Sequence, residues 1–135
     1  DLPRPDLVWA SPPCQDWSTA HQGKKQPDRK ALVWVARRWI AAIRPEWVAL
    51  EEVPTVLPVW QEYQAWLRTE GYSVWSGILS TERYGVPQIR KRAVLIASRV
   101  RRVHPPAPTH RGFDTYLQRH EPEVINRDVS ELRQE

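Results

Sequence analysis

Short apolar runs alternate along this chain with segments of helical period. Residues 6–10 (Asp-Leu-Val-Trp-Ala), bounded by Pro5 and by Ser11-Pro12-Pro13, have the pattern of a buried strand. Residues 21–28 are polar, with Gly23 and Pro27, and read as an exposed basic loop. From Arg29 the pattern turns helical. Leu32, Val35, Ala36, Trp39, Ile40 and Ile43 recur on one stripe and Arg37 and Arg38 lie off it, with Asp28 placed as N-cap and Pro45 as the stop. Residues 47–50 read as a second buried strand, followed at once by Glu51 and Glu52. A second helix is expected over 55–68, with Val56, Trp60, Tyr63 and Leu67 on one face and Gly71 as its terminator. Residues 72–79 alternate as a strand and 93–98 read as a buried one, with a turn and a charged stretch, 84–92, between them.

The order strand, helix, strand, helix, strand, strand begins with a parallel βαβ unit, so the expected class is α/β with a right-handed crossover. Cys14 then closes the first strand as Glu51 closes the second. Adjacent parallel strands bring both to one sheet edge, where open parallel sheets place their chemistry. Most prolines punctuate segment boundaries. After Ser98 come Arg99, Arg101, Arg102 and a proline cluster, which read as a linker.

Composition narrows this only a little. A length of 135 residues supports one modest core, and 41% hydrophobic residues is a globular composition. No apolar run approaches the roughly 20 residues of a membrane span, and no basic-then-apolar leader opens the chain, so a soluble protein without a targeting signal is expected. The chain opens on Asp1 and has no Met, which hints at a fragment. Twenty Lys and Arg against 16 Asp and Glu give +4, a mild bias towards anionic partners. The single cysteine excludes an internal disulfide and a cysteine-built metal cluster, and no metal is expected.

Three places can carry chemistry. Cys14 sits behind Pro12 and Pro13, which stiffen its approach and cannot continue a strand ladder. It is either a small buried hydrophobe or a nucleophile on a rigid elbow. Glu51 is either a cap or surface charge or a general acid, and Glu52 could equally be the solvated one. Gln88, Arg90 and Arg92 share a face if their segment is extended, and three donors there suit an anionic or carbonyl-rich ligand or else a solvated edge.

Taken together, Pro12-Pro13-Cys14-Gln15, Glu51-Glu52-Val53-Pro54, and Gly71-Tyr72 through Tyr84-Gly85-Val86-Pro87-Gln88-Ile89-Arg90-Lys91-Arg92 resemble three successive signature motifs of the cytosine carbon-5 DNA methyltransferases, in order and at comparable spacing. His104-Pro105-Pro106-Ala107-Pro108-Thr109-His110 is similar to the segment that follows, so the likeness covers about residues 6–110. The resemblance implies a Rossmann-like S-adenosylmethionine-dependent fold, a mostly parallel sheet flanked by helices. Residues 1–98 would be the catalytic half and 99–135 a linker and the start of a truncated target-recognition region. It further implies that Cys14 adds to carbon 6 of a flipped cytosine and that Glu51 protonates or hydrogen-bonds ring nitrogen 3. Arg92 would brace the base, supported by Arg90 and Gln88. Gln15, Ser18, Lys24 and Lys25 would close over the backbone of double-stranded DNA, with Gln88 also counted among the DNA contacts. The enzyme implied is cytoplasmic and DNA-associated, of the restriction-modification kind.

The chain departs from the family pattern twice. Glu52 stands where the family usually has Asn, a residue thought to help fix the cysteine loop. No two of the five glycines cluster into a donor-binding loop, and Asp6, Ser11 and Pro12, which would border the S-adenosylmethionine site, cannot make it alone. A complementary chain carrying the donor half is therefore a candidate partner. Two rival readings are an inactive DNA-binding homologue and an RNA cytosine methyltransferase. A thiol hydrolase lacks its base, because His21, His104, His110 and His120 fall in loops or the tail.

Overall fold

Strand β1 (Leu7–Ala10) lies parallel to β2 (Trp47–Glu52), with Leu7 opposite Trp47 and Ala10 opposite Leu50. The computed structural model describes residues 4–13 and 32–110. Between the two strands runs helix α1 (Val35–Ile43), entered through a 3-10 turn at Leu32–Trp34. Helix α2 (Leu57–Thr69), entered through Pro54–Val56, leads from β2 to β3 (Ser73–Ser80), and β4 (Lys91–Ser98) follows. The sheet order is β1-β2-β4-β3. The expected α/β class and the opening βαβ unit are present. The sheet itself is mixed, because β4 runs antiparallel to β2.

The register explains which residues are inside. Val48 faces Ala97, Leu50 faces Leu95 and Glu52 faces Ala93, and all six side chains are buried on one face of the sheet. Helix α2 covers that face with Trp60, Tyr63 and Leu67, joined by Val56 from the turn that enters it, and none of the four is exposed to solvent. The indole Nε1 of Trp60 donates to the Ala93 carbonyl at 3.1 Å, which anchors α2 to β4. Tyr63 is ringed by aromatics, stacked on Trp34 and edge-on to Trp60 and Trp66. This cluster accounts for several of the chain's eight tryptophans. Beyond Thr69 the chain turns at Gly71, φ +86°, where Gly71 N–H reaches the Arg68 carbonyl and Tyr72 N–H the Leu67 carbonyl. That pair of bonds is the glycine-terminated cap expected there.

Helix α1 differs from expectation in its orientation. Its buried residues are Ala36 and Ile40, with Val33 from the preceding turn, while Leu32, Val35 and Trp39 of the expected stripe are exposed and Ile43 is half-buried. The Tyr63 hydroxyl decides the matter by donating to the Val33 carbonyl and accepting from Arg37 N–H, at 2.9 and 3.0 Å. Arg37 also lies over the Trp66 ring, 4.7 Å from its centroid. Nearly every residue from 32 to 43 is apolar, so two adjacent stripes satisfy the helical period equally well. The helix stops at Arg44, held at φ +50° with its N–H on the Ile40 carbonyl, because Pro45 disfavours a helical residue before it. The expected cap at Asp28 lies outside the described residues.

The described residues fall into two compact units. The first takes its residues from before Ser80 and from Lys91–Pro106, and contains the sheet and both helices. The second joins Ser80–Arg90 to residues from Ala107 onward. In it, Thr109 and His110 donate their backbone N–H groups to the Arg83 carbonyl at 3.0 and 2.9 Å. No described helix is long and apolar enough to cross a membrane, and no described group of three or more His, Cys, Asp or Glu side chains can hold a metal.

Candidate active site

Residue 51 is the point at which strand β2 changes character. Along β2 the side chains alternate, so Val48, Leu50 and Glu52 enter the helix-covered core while Trp47, Ala49 and Glu51 point to the other face. Glu52, read as the possible solvated member of the pair, is buried with 4% exposure and accepts the Val53 N–H at 2.9 Å. Burial of a carboxylate is tolerated only with hydrogen bonds of this kind. Glu51, on the opposite face, is the accessible carboxylate.

Two other elements reach it. In the antiparallel register Glu51 faces Val94, so Arg92 lies two residues along β4 on the same face, a diagonal neighbour. Its Nε stands 2.6 Å from Glu51 Oε1, and both side chains keep about a quarter of their surface exposed, 24% and 27%. The Arg92 Nη1 also donates to the Lys91 carbonyl at 2.8 Å, so the guanidinium is held at two points. From the other side comes Ser11. The parallel register that pairs Ala10 with Leu50 brings the next residue of β1 beside the next of β2. There the Ser11 hydroxyl meets Glu51 Oε2 and lies 3.2 Å from the Glu51 main-chain carbonyl. Each carboxylate oxygen of Glu51 thus has its own partner, on a different strand, while the group remains reachable from solvent.

Among the expected site residues, the structure brings Ser11, Glu51 and Arg92 together. Pro12 is half-buried and directly follows Ser11, and Asp6 is exposed with its carbonyl accepting Trp47 N–H at 2.8 Å. Cys14, Gln15, Ser18, Lys24 and Lys25 lie outside the described residues. The expectation that Gln88, Arg90 and Arg92 share one strand face fails, because β4 begins only at Lys91. Local bonds hold residues 86–90 in a turn instead. Gln88 N–H reaches the Val86 carbonyl at 2.8 Å, and the Thr81 hydroxyl accepts Arg90 N–H at 3.1 Å while donating to the Gln88 carbonyl. The sequence pattern places Ser11 on the donor side; its contact with Glu51 follows from the β1–β2 register, extended by one residue.

The family model described as C-5 cytosine-specific DNA methylase matches residues 1–134. The type II methyltransferase M.HgiDI of Herpetosiphon aurantiacus is 35% identical over 97 residues, covering 70% of this chain and 31% of its own length. M1.BsuMI of Bacillus subtilis is 34% identical over 100 residues, covering 70% of this chain and 23% of its own length. The chain therefore spans about a third or less of these relatives. Among solved structures, the Entamoeba histolytica methyltransferase EhMeth superposes with a TM-score of 0.58 at 21% identity, over 88% of this chain and 41% of its own. The S. pombe Dnmt2 methyltransferase gives 0.56 at 22%, over 86% and 34%. At those identities the structures speak to the fold alone. The match of the family model over nearly the whole length decides membership: this chain belongs to the C-5 cytosine-specific DNA methylases.

Proposed function

We propose that these residues are the base-handling part of a DNA cytosine carbon-5 methyltransferase, acting on a cytosine turned out of double-stranded DNA. The observation that carries this reading is the Glu51 carboxyl, held by Ser11 and Arg92 at the end of the strand beside the one that leads to Cys14. In the proposed reaction the Cys14 thiolate forms a bond to carbon 6, and the ring electrons move towards carbon 5 and nitrogen 3. Glu51 gives its proton to nitrogen 3, so the ring stays neutral while carbon 5 becomes nucleophilic. The guanidinium of Arg92 holds the resulting carboxylate in place and presents positive charge to the base carbonyl. After substitution at carbon 5, loss of the carbon 5 proton expels Cys14 and restores the double bond, and nitrogen 3 returns its proton to Glu51. Lys24, Lys25, Gln15 and Ser18 are proposed to grip the DNA backbone, and Gln88 and Arg90 to assist at the base.

S-adenosylmethionine would supply the electrophilic methyl group. The described residues do not by themselves fit it: the Ser11 hydroxyl is taken up by Glu51, and the described glycines Gly71, Gly77 and Gly85 lie far apart in the sequence. We therefore route no step through the donor, and infer that residues outside the described ones, on this or a complementary chain, bind it.

The test is a covalent trap. The protein is mixed with the methyl donor and duplex DNA carrying 5-fluorocytosine, whose carbon 5 cannot lose its substituent as a proton. A denaturation-resistant protein–DNA adduct that disappears in Cys14→Ser is the expected result. Tight DNA binding without any adduct would replace the enzyme by a binding module.

A further inference from the structure

We propose that Ser11 is a positioning residue for Glu51 whose hydroxyl turns between two acceptors as Glu51 loses and regains its proton. The inference rests on the catalytic reading above and assigns Ser11 to the base-handling side of the site, not to the donor. Its basis is an unusual double contact: one hydroxyl lies within hydrogen-bonding reach of both the Oε2 and the main-chain carbonyl of the same glutamate. A hydroxyl has one hydrogen and two lone pairs, so it donates to only one of these at a time but can also accept.

The arrangement suits both states of the carboxyl. Arg92 Nε occupies Oε1, and a donor-only guanidinium leaves no room for a proton there, so a proton on Glu51 sits on Oε2. With Oε2 protonated, Ser11 accepts from it and points its own hydrogen at the main-chain carbonyl 3.2 Å away. With a base bound, the Oε2–H turns from Ser11 to ring nitrogen 3, and as that proton passes to the base Ser11 swings its hydrogen onto the newly charged Oε2. No bond of Ser11 is made or broken; only the O–H rotates. The carboxylate then keeps a partner on each oxygen without moving, and the new bond is of the stronger, charge-assisted kind. The charged groups near Glu51 among the described residues fit this picture. Arg92 faces it from β4, while Glu52, its neighbour in β2, points into the opposite face.

The experiment follows release of tritium from DNA whose cytosines are tritiated at carbon 5. Addition of Cys14 and protonation of nitrogen 3 by Glu51 make carbon 5 nucleophilic enough to take a proton from water. Loss of the tritium from carbon 5 to water then expels Cys14 and restores the double bond, so no methyl donor is needed. On the intact protein, Ser11→Ala is expected to lower the turnover of exchange about 10- to 100-fold, the worth of one hydrogen bond to a charged group. The KM for DNA stays within about twofold, and Ser11→Thr, which keeps the hydroxyl, recovers most of the loss, with circular dichroism confirming that both variants fold. If Ser11→Ala exchanges at the wild-type rate, or only raises the KM for the methyl donor in full methyl transfer, the proposal is overturned and Ser11 belongs to the donor site. If the wild-type protein exchanges no tritium, the catalytic reading itself fails, and Ser11 is left as a structural tie.

Discussion

Arg92 meets Glu51 diagonally across the antiparallel β2–β4 pair, with Nε 2.6 Å from Oε1, on the sheet face turned away from the helices. Both groups are about a quarter exposed, and ion pairs in that setting contribute little to folding. The value of the pair is geometric. One guanidinium edge holds the carboxylate while Nη1 is tied to the Lys91 carbonyl, so the carboxylate has a fixed direction.

Arg92→Lys should therefore separate stability from activity. Lysine keeps the charge but cannot span Oε1 and the Lys91 carbonyl with one rigid fork. Urea unfolding should move by less than about 1 kcal/mol. Tritium exchange from cytosine carbon 5 should fall at least about tenfold, the cost of a misdirected carboxyl. An exchange rate equal to wild type would remove Arg92 from the site.

Trp60 supports that geometry from the core side. Its indole nitrogen bonds the carbonyl of Ala93, the residue next to Arg92. Trp60→Phe keeps most of the ring volume but leaves that carbonyl unpartnered in a buried setting, at an expected cost of about 1–3 kcal/mol. Trp60→Ala should cost about 3–5 kcal/mol through the cavity it opens. Chemical denaturation of the two variants gives both numbers, and a Trp60→Phe variant as stable as wild type would show that packing alone matters.

Alkaline stability should report Tyr63. Burial pushes its hydroxyl from 10.0 up to about 12, opposed in part by Arg37. The folded value lies above the unfolded one, so the stabilisation is whole below pH 10, where both forms are protonated. Between pH 10 and about 12 the unfolded chain has lost its proton and the folded one has not, so stability falls as pH rises, by roughly 2–3 kcal/mol. Tyr63→Phe should flatten that decline while costing stability at neutral pH, because it abandons the Val33 carbonyl and the Arg37 N–H.

Two glycines with similar backbone angles should respond differently to alanine. Gly71 has φ +86° and nothing within 4 Å of a Cβ, so Gly71→Ala should cost only about 1 kcal/mol, for the left-handed conformation. At Gly85, φ +83°, a Cβ would stand 2.8 Å from His110 Cε1. Gly85→Ala must displace that imidazole as well, and the His110 ring resonances in the NMR spectrum should shift. Unchanged resonances would mean that the ring does not rest on Gly85.

Much of this protein was legible as sequence, for local reasons. The βαβ opening, the buried quartet of Val56, Trp60, Tyr63 and Leu67 on helix α2 and the turn that enters it, and the stop at Gly71 all follow from periods and turn chemistry within a few residues. So did the nomination of Glu51 and Arg92, because signature spacing is written in the chain. Three things needed the tertiary structure. The phase of α1 was settled by the Tyr63 hydroxyl, since an almost wholly apolar helix offers more than one stripe to bury. The start of β4 at Lys91 was settled by Thr81, whose hydroxyl holds the turn that separates Gln88 and Arg90 from the strand. The partner of Ser11 was settled by register: 40 residues separate Ser11 from Glu51, and only the alignment of β1 with β2 makes them neighbours. Periodicity records which side of its own element a residue occupies. What it meets there depends on how the elements are set against one another, which is a property of the packed sheet.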